Sequence, residues 1–373
     1  MKNYDTIVIG AGIAGLSVAR ELAKMKQRVL VLEKDVKGGQ TSRAAAGIID
    51  PYTEAKEETP LFRLGLQAFD LYPSFLQELG EKVTSYVEFE KMGVLYLALK
   101  QEDEDYLNDR LPWQKKQEIP VQPVSAEKIR RMEPGVSKKV RNGVFYPEIS
   151  KLNAAKLTEA VLQSTQAAGV EIKISQSDVS VWEEKDKVRG VHNGGQKIES
   201  GTVVLAAGCW SGLDQKLGLK IKVHAVRGQI FILKAGTPCP THILHTTRYA
   251  YIVPWPNNRL LVGSTLESNI GFENKVTPEG KEDILNRASE ILEEIRSLPI
   301  ETSWAGLRPF ADPGMPLIGP TPIKGLFLAT GYYRSGILIS PLVGKLLAQG
   351  ITSGNFSPLL EPFYLELSPD RHF

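Results

Sequence analysis

Residues Tyr4 to Glu33 read YDTIVIGAGIAGLSVARELAKMKQRVLVLE. Asp5 to Ile9 is a β-branched apolar run, and Gly10, Gly12 and Gly15 follow it as G-x-G-x-x-G. Leu16 to Lys24 has helical patterning. Arg28 to Leu32 is a second apolar run that ends on Glu33. The order is strand, tight turn, helix, strand, with an acid at the end. Gly10 allows the turn, Gly12 lets a pyrophosphate approach the backbone, and Gly15 lets helix and strand pack closely. The helix start offers free N–H groups and a partial positive charge to phosphate. Glu33 is placed to accept from a ribose hydroxyl. A lone glycine motif is weak, but the strand, the helix and an acid about 20 residues on all agree. The fold class predicted is α/β, with a dinucleotide-binding domain.

The chain has 373 residues, which is more than one ordinary core fills, so a second domain is expected. Its apolar fraction of 42% and charged fraction of 24% are those of a globular protein. A net charge of +2 gives no argument for nucleic acid or an anionic membrane as partner. No run of about 18 apolar residues suggests a membrane span. The first apolar run reads as a strand rather than a signal peptide, and the expected location is cytoplasmic. Two cysteines, Cys209 and Cys239, cannot build a disulfide framework. Five histidines without ligand spacing give no metal site.

Outward from Glu33, Lys37 to Ile49 reads KGGQTSRAAAGII. It is either a flexible loop or a strip pressed against a flat ligand, where Cβ atoms would collide; the small residues favour the second. Glu54 to Glu81 is patterned as an amphipathic helix, and its polar, Pro-interrupted start, Glu54 to Pro60, is either a mobile lid or a solvated lead-in. Val83 to Leu99 alternates and predicts strands. Short helices are predicted at Glu102 to Asn108 and Ala126 to Glu133, and a strand at Gly143 to Tyr146. Leu152 to Gly169 predicts a helix capped by Asn153. Strands are predicted at Val170 to Ile174, Val179 to Trp182, Val188 to His192 and Gln196 to Glu199. Thr202 to Gly208, TVVLAAG, predicts a buried strand running into a glycine and then a short helix. Val223 to Lys234 and Tyr249 to Thr265 are strand-rich. Pro278 to Ser297 predicts an amphipathic helix. Gly325 to Pro341, GLFLATGYYRSGILISP, predicts a strand, a glycine-flanked turn and the last helix. The dinucleotide-binding part is expected at residues 1–82, 145–215 and 302–373. A sheet-rich part is expected at 83–144 and 216–301.

The turn after Gly331 is a second anion-binding helix start, far from the first. Two such starts suit a long cofactor held at both ends, such as FAD. Five segments then resemble the FAD-dependent D-amino-acid oxidase family, most closely its glycine oxidase (thiazole-biosynthesis) branch. They are the glycine motif with Glu33; Thr41-Ser42 with Ala44-Ala45-Ala46-Gly47; Tyr251-Ile252-Val253-Pro254; Trp304-Ala305-Gly306-Leu307-Arg308-Pro309; and Gly331 to Pro341. The resemblance implies an FAD domain of the glutathione-reductase type and a substrate domain whose antiparallel sheet covers the flavin. It implies that Gly10, Gly12, Ile13, Ala14, Gly15, Glu33 and Lys34 lie along the adenosine and pyrophosphate. Thr41, Ser42, Ala46, Gly47 and Ile48 would pass the pyrophosphate and flavin, and Val179 would meet the adenine end. Gly208 and the run Tyr332, Tyr333, Arg334, Ser335, Gly336, Ile337 and Leu338 would complete the flavin site. Tyr251, Arg308 and Arg334 would hold a substrate carboxylate.

Arg308 has physical grounds beside the resemblance, because a guanidinium binds a carboxylate through two parallel N–H bonds. A structural ion pair is the competing reading. For Tyr251 it is a buried aromatic, and for Arg334 contact with FAD alone. The implied chemistry moves a hydride from the Cα of glycine, another small amine or a D-amino acid to flavin N5. The imine hydrolyses to a keto acid and ammonia, and O2 becomes H2O2. No general base is assigned, FAD is expected to be non-covalent, and a homotetramer is implied by resemblance only. His224, His242 and His245 read as satisfied or solvent-exposed. Three departures stand out: Asp50-Pro51-Tyr52 follows the alanine run, Leu266 sits where the glycine oxidase branch often has methionine, and Val226-Arg227-Gly228-Gln229 is more like bacterial D-amino-acid dehydrogenases. A D-amino-acid or D-proline dehydrogenase with another acceptor is therefore the alternative activity. A non-catalytic flavoprotein is the alternative of another class.

Overall fold

The computed structural model describes residues 4–35, 38–213, 217–236, 239–248 and 250–365. The expectations that begin at Lys37 and Tyr249, the helix after Ser211 and the tail from 366 to 373 fall partly outside the described residues.

The N-terminal stretch folds as strand Thr6–Ile9, helix Ile13–Lys24 and strand Val29–Glu33. Thr6–Ile9 pairs in parallel with Val29–Glu33 on one side and Val203–Leu205 on the other. These strands form the middle of a six-stranded sheet completed by Leu317–Pro320, Leu326–Thr330 and Glu171–Ile174. Side chains alternate between its faces, as strand geometry requires. Val8, Val31 and Val204 point to a core built with helices Ile13–Lys24, Ala154–Ala167 and Gly336–Ser353. Ile7, Ile9, Leu30 and Leu32 point to a second core shared with the three-stranded sheet of Val179–Glu183, Val188–Asn193 and Gln196–Glu199. Helix Gly336–Ser353 is long and apolar enough to cross a bilayer, but more than half of it is buried in this fold.

The second body is an eight-stranded sheet. Its order is Ile300–Ala311, Val223–Lys234, Arg259–Gly263, Tyr251–Trp255, Ile243–Thr246, Val94–Ala98, Asn142–Tyr146 and Gln122–Ser125. All its pairs are antiparallel except Ile243–Thr246 with Val94–Ala98. One face is covered by Ile129, Ile284, Ala288 and Ile291. The other carries Tyr52, Phe62, Tyr96, Tyr146 and Tyr251.

Several sequence expectations require correction. The expected strand is present at Val94–Ala98, but it is buried on both faces, because Leu95 and Leu97 enter one core while Val94, Tyr96 and Ala98 enter the other. Val83–Tyr86, expected as strand, is a helical turn. The helix expected from Glu54 starts at Pro60, where Thr59 Oγ1 accepts from the Phe62 amide at 3.1 Å. The helix expected at Glu102 to Asn108 extends over Gln101–Lys116, held by buried Leu107, Leu111 and Gln114. The helix expected through Ser297 ends at Ser289, because the Ile291 carbonyl turns to accept from the Ser137 amide at 2.8 Å. Strand Ile300–Ala311 runs along Val223–Lys234, so the expected boundary at 302 cuts through a strand of the large sheet. As an edge strand with exposed Glu301, Thr302 and Ser303, it carries little apolar alternation to read.

Candidate active site

The glycine turn places three glycines in three different roles. Gly10 has φ +107°, and a Cβ there would stand 2.5 Å from the Ala206 carbonyl oxygen. A Cβ on Gly15 would stand 2.1 Å from the Gly10 oxygen, so Gly15 serves helix–strand contact. Gly12 is bare for another reason: the nearest atom to its Cβ position is Ser42 Oγ at 3.5 Å, and the residue borders open space. The Ile13 amide donates to Ser42 Oγ at 3.1 Å, which ties the small-residue strip to the first turn of the helix. Glu33 is pinned by backbone: Oε2 accepts from the Ala11 amide at 2.6 Å, and Oε1 from the Lys34 and Asp35 amides at 2.8 and 2.9 Å.

These groups line a cavity of about 1090 Å³ that runs from Glu33, Lys34 and Val179 past Gly10, Ile13, Ala14, Thr41, Ser42 and Gly208 to Tyr332, Tyr333, Arg334, Gly336 and Ile337. A second cavity of about 340 Å³ is lined by Ala46, Gly47, Ile48, Ser335 and Leu338 together with Tyr251, Arg308 and Arg334. Thr41, Ala45 and the turn Gly331 to Arg334 border both, so the two spaces meet there. Of the expected site residues, Gly15 alone lines neither. Gly47 has φ +76°, and a Cβ on it would collide with the Leu152 carbonyl oxygen at 1.9 Å.

Arg308 is the centre of the smaller cavity. Its Nη2 donates to Ser264 Oγ at 2.8 Å and its Nη1 to the Thr265 carbonyl at 3.2 Å. Among the described residues, no carboxylate lies within ion-pair distance of it. Desolvation therefore lowers its pKa, opposed chiefly by the neighbouring Tyr251. The guanidinium lies against the bare backbone of Gly228, where a Cβ would stand 2.2 Å from both terminal nitrogens. Tyr251 is 6% exposed. Burial raises its pKa, opposed by the Arg308 cation and Ser264. A part-buried cation with neutral hydrogen-bond partners is poised to accept an anion from the cavity. Arg334 is paired with Glu54.

Three further residues of this cavity were not foreseen as site residues. His245 was expected to be satisfied or exposed. Instead it is buried, its Nδ1 has no hydrogen-bond partner, and its ring stacks on Tyr96 with centroids 4.7 Å apart. Burial, aided by the Arg334 cation, pushes its pKa down to about 3. His245 lies directly across the ladder from Tyr251, a placement that only the strand register reveals. Asp50 accepts from the Tyr52 and Thr53 amides at 2.7 and 3.0 Å, and burial raises its pKa. The departure at Asp50-Pro51-Tyr52 was its only signal. Glu54 carried none. His242 is accounted for by Glu133 at 2.6 Å, and His224 stands 3.9 Å from Asp312.

The larger cavity suits an elongated dinucleotide. A helix start borders it at Gly12–Ile13 and another at Gly336, Glu33 offers a fixed carboxylate, and the buried Tyr332 hydroxyl lacks a partner. The sequence matches the family of FAD dependent oxidoreductases designated DAO over residues 5–350. It is 33% identical over 361 residues to a glycine oxidase of Pseudomonas aeruginosa, spanning 95% of this chain and 96% of that one. It is 29% identical over 374 residues to a bifunctional protein ThiO/ThiG of a Synechocystis species, spanning 98% of this chain and 54% of that one. The fold matches the crystal structure of glycine oxidase from Geobacillus kaustophilus with a TM-score of 0.89 at 29% identity, covering 100% of both chains.

Proposed function

This chain belongs to the DAO family of FAD dependent oxidoreductases, and on that premise we propose that it oxidises glycine, or another small amine or D-amino acid, with O2 as acceptor. FAD, when bound, supplies the two-electron acceptor for the substrate's Cα hydride. The observation that carries the reading is Arg308, a desolvated guanidinium in the smaller cavity that has neutral partners only. Arg308 takes the substrate carboxylate through its fork, and the Tyr251 hydroxyl donates to the same group. Arg334 borders the meeting of the two cavities, with its charge offset by Glu54. His245 stays neutral and adds no third cation. Holding the carboxylate at two points orients the rest of the small substrate, and orientation is the main contribution of these side chains to rate. The released imine hydrolyses to a keto acid and ammonia.

For the cofactor, Glu33 receives the ribose hydroxyls, with Lys34 and Val179 at the adenine end. Gly12, Ile13, Ala14, Thr41 and Ser42 receive the pyrophosphate. Ala46, Gly47, Ile48, Gly208 and the run Tyr332 to Leu338 surround the flavin. Service to thiazole formation in thiamine synthesis belongs to this reading, supported by the likeness to a ThiO/ThiG protein.

The test is anaerobic flavin bleaching with glycine, sarcosine, D-alanine and D-proline, followed by air. Bleaching and rapid reoxidation are expected. Slow reoxidation after bleaching would assign a dehydrogenase with another acceptor, and no bleaching a non-catalytic flavoprotein. Arg308→Ala should raise KM for carboxylate substrates by roughly 10²–10³-fold, from about 3–4 kcal/mol for a lost charge-assisted pair. An unchanged KM would remove Arg308 from the site.

A further inference from the structure

The smaller cavity holds two guanidiniums in unlike states. Arg308 meets only the Ser264 hydroxyl and the Thr265 carbonyl. Arg334 is paired with the carboxylate of Glu54, and both residues line the cavity. The segment that carries Glu54 is fixed from two sides. Asp50 accepts from the amides of Tyr52 and Thr53 at 2.7 and 3.0 Å. From helix Gln101–Lys116, Gln114 Nε2 donates to the carbonyls of Tyr52 and Ala55 at 3.2 and 3.0 Å. Tyr146 in turn donates to Gln114 Oε1 at 3.0 Å, so the brace belongs to the large sheet. The backbone on both sides of Glu54 is thus anchored, and its carboxylate is delivered to Arg334 by the fold.

We infer that Glu54 is a specificity-determining residue: by occupying Arg334 it confines the cavity to substrates with a single carboxylate. The inference rests on the proposed reading of this cavity as the amino-acid site. One carboxylate satisfies Arg308. Among the described residues that line the cavity, the other guanidinium open to a second anionic group is Arg334, where that group must displace Glu54 and then lie beside that like charge. Selection thus comes from a repulsive group placed against the wrong ligand as much as from the attractive group for the right one. Glu54 is half-exposed, so the pair contributes little to folding, and removing it leaves the scaffold in place.

The test compares wild-type holoenzyme with Glu54→Gln and Glu54→Ala. Perturbation of the flavin absorption gives Kd for acetate, malonate and succinate. Steady-state kinetics gives kcat/KM for glycine and D-alanine against iminodiacetate and D-aspartate. In both variants, affinity for at least one dicarboxylate should rise about tenfold relative to acetate, equivalent to about 1.4 kcal/mol. The matching dicarboxylic amine should gain by a similar factor over glycine. A purely structural Glu54 would change melting temperature or FAD retention and leave these ratios where they are. Unchanged ratios in both variants overturn the inference. Arg308→Ala separates the underlying reading: if it still binds acetate normally, the assignment of the cavity falls, independently of the result at Glu54.

Discussion

Burial holds His245 neutral, and that has a consequence for stability that can be measured. Its pKa is about 3 in the folded chain against 6.5 for the free side chain. In that interval the unfolded chain binds a proton that the folded one refuses. Stability is therefore lost as pH falls from about 6.5 toward about 3, at up to about 1.4 kcal/mol per pH unit. His245→Asn cannot titrate. Denaturant unfolding at pH 7.5 and 4.5 should show the variant gaining about 2.6 kcal/mol on the wild type at the lower pH. A constant difference between the two proteins would mean that His245 is already charged, or solvated, in the folded state. The same neutrality predicts that kcat/KM shows no inflection near 6.5 from this side chain. Tyr251, across the ladder, is a different case. Its hydroxyl stays protonated through the working range, and Tyr251→Phe removes one donor to a charged group. A KM rise of about tenfold or more is expected, from about 1.5–3 kcal/mol for such a bond, with FAD binding unchanged.

At the scale of elements, two glycines separate cofactor binding from substrate binding. Gly15 sits where helix Ile13–Lys24 meets the first strand, and any Cβ meets the Gly10 carbonyl at 2.1 Å. Gly15→Ala must push the helix off the strand, so loss of FAD and a lower melting temperature are expected together. Gly228 lies on strand Val223–Lys234 opposite Gly306, beneath the Arg308 guanidinium. Gly228→Ala needs only that long side chain to move. KM for glycine should rise tenfold or more while FAD content holds; loss of FAD instead would mean that the two sheets cannot be perturbed separately. These elements also mark how far the sequence could be read. The turn at Gly10 to Gly15 was legible because its determinants are local: strand, glycine spacing, helix and acid lie within one stretch. Thr41-Ser42, Tyr251, Arg308 and Arg334 were reached through resemblance, and the fold brings the last three to one cavity. Strand Val94–Ala98 was read as a strand, but its burial on both faces was not, because that follows from the two cores it separates. Edge strand Ile300–Ala311 was not read as an element, because its polar start at Glu301, Thr302 and Ser303 carries no apolar pattern. His245 and Glu54 were invisible for a third: each is defined by a contact that only the folded chain makes, His245 by the hairpin register that sets it opposite Tyr251 and Glu54 by an ion pair with distant Arg334.

For the whole molecule, the larger cavity is the bridge between the sheets. The larger cavity takes its wall from Ile9 to Ile13 at one end of the chain and from Gly331 to Ile337 at the other. Val179 enters from the three-stranded sheet and Pro309 from the eight-stranded one. A ligand in this cavity therefore stabilises both bodies at once. Attachment should be non-covalent, because neither cysteine lines either cavity, and burial pushes the Cys209 thiol up to about 12, far from a reactive thiolate. Precipitation with trichloroacetic acid should leave the yellow colour in the supernatant. A coloured pellet would overturn that expectation. If FAD dissociates, mass action makes the melting temperature depend on its concentration, with about 2.7 kcal/mol gained at one hundred times Kd. Spread over the unfolding entropy of a chain of this size, that is roughly 3–4 °C. The rise should appear as one transition that moves as a whole when FAD is titrated into apoprotein. If only one of two resolved transitions moves, the large sheet folds without regard to the cofactor, and Arg308, at the seam between the two bodies, would then be positioned independently of it.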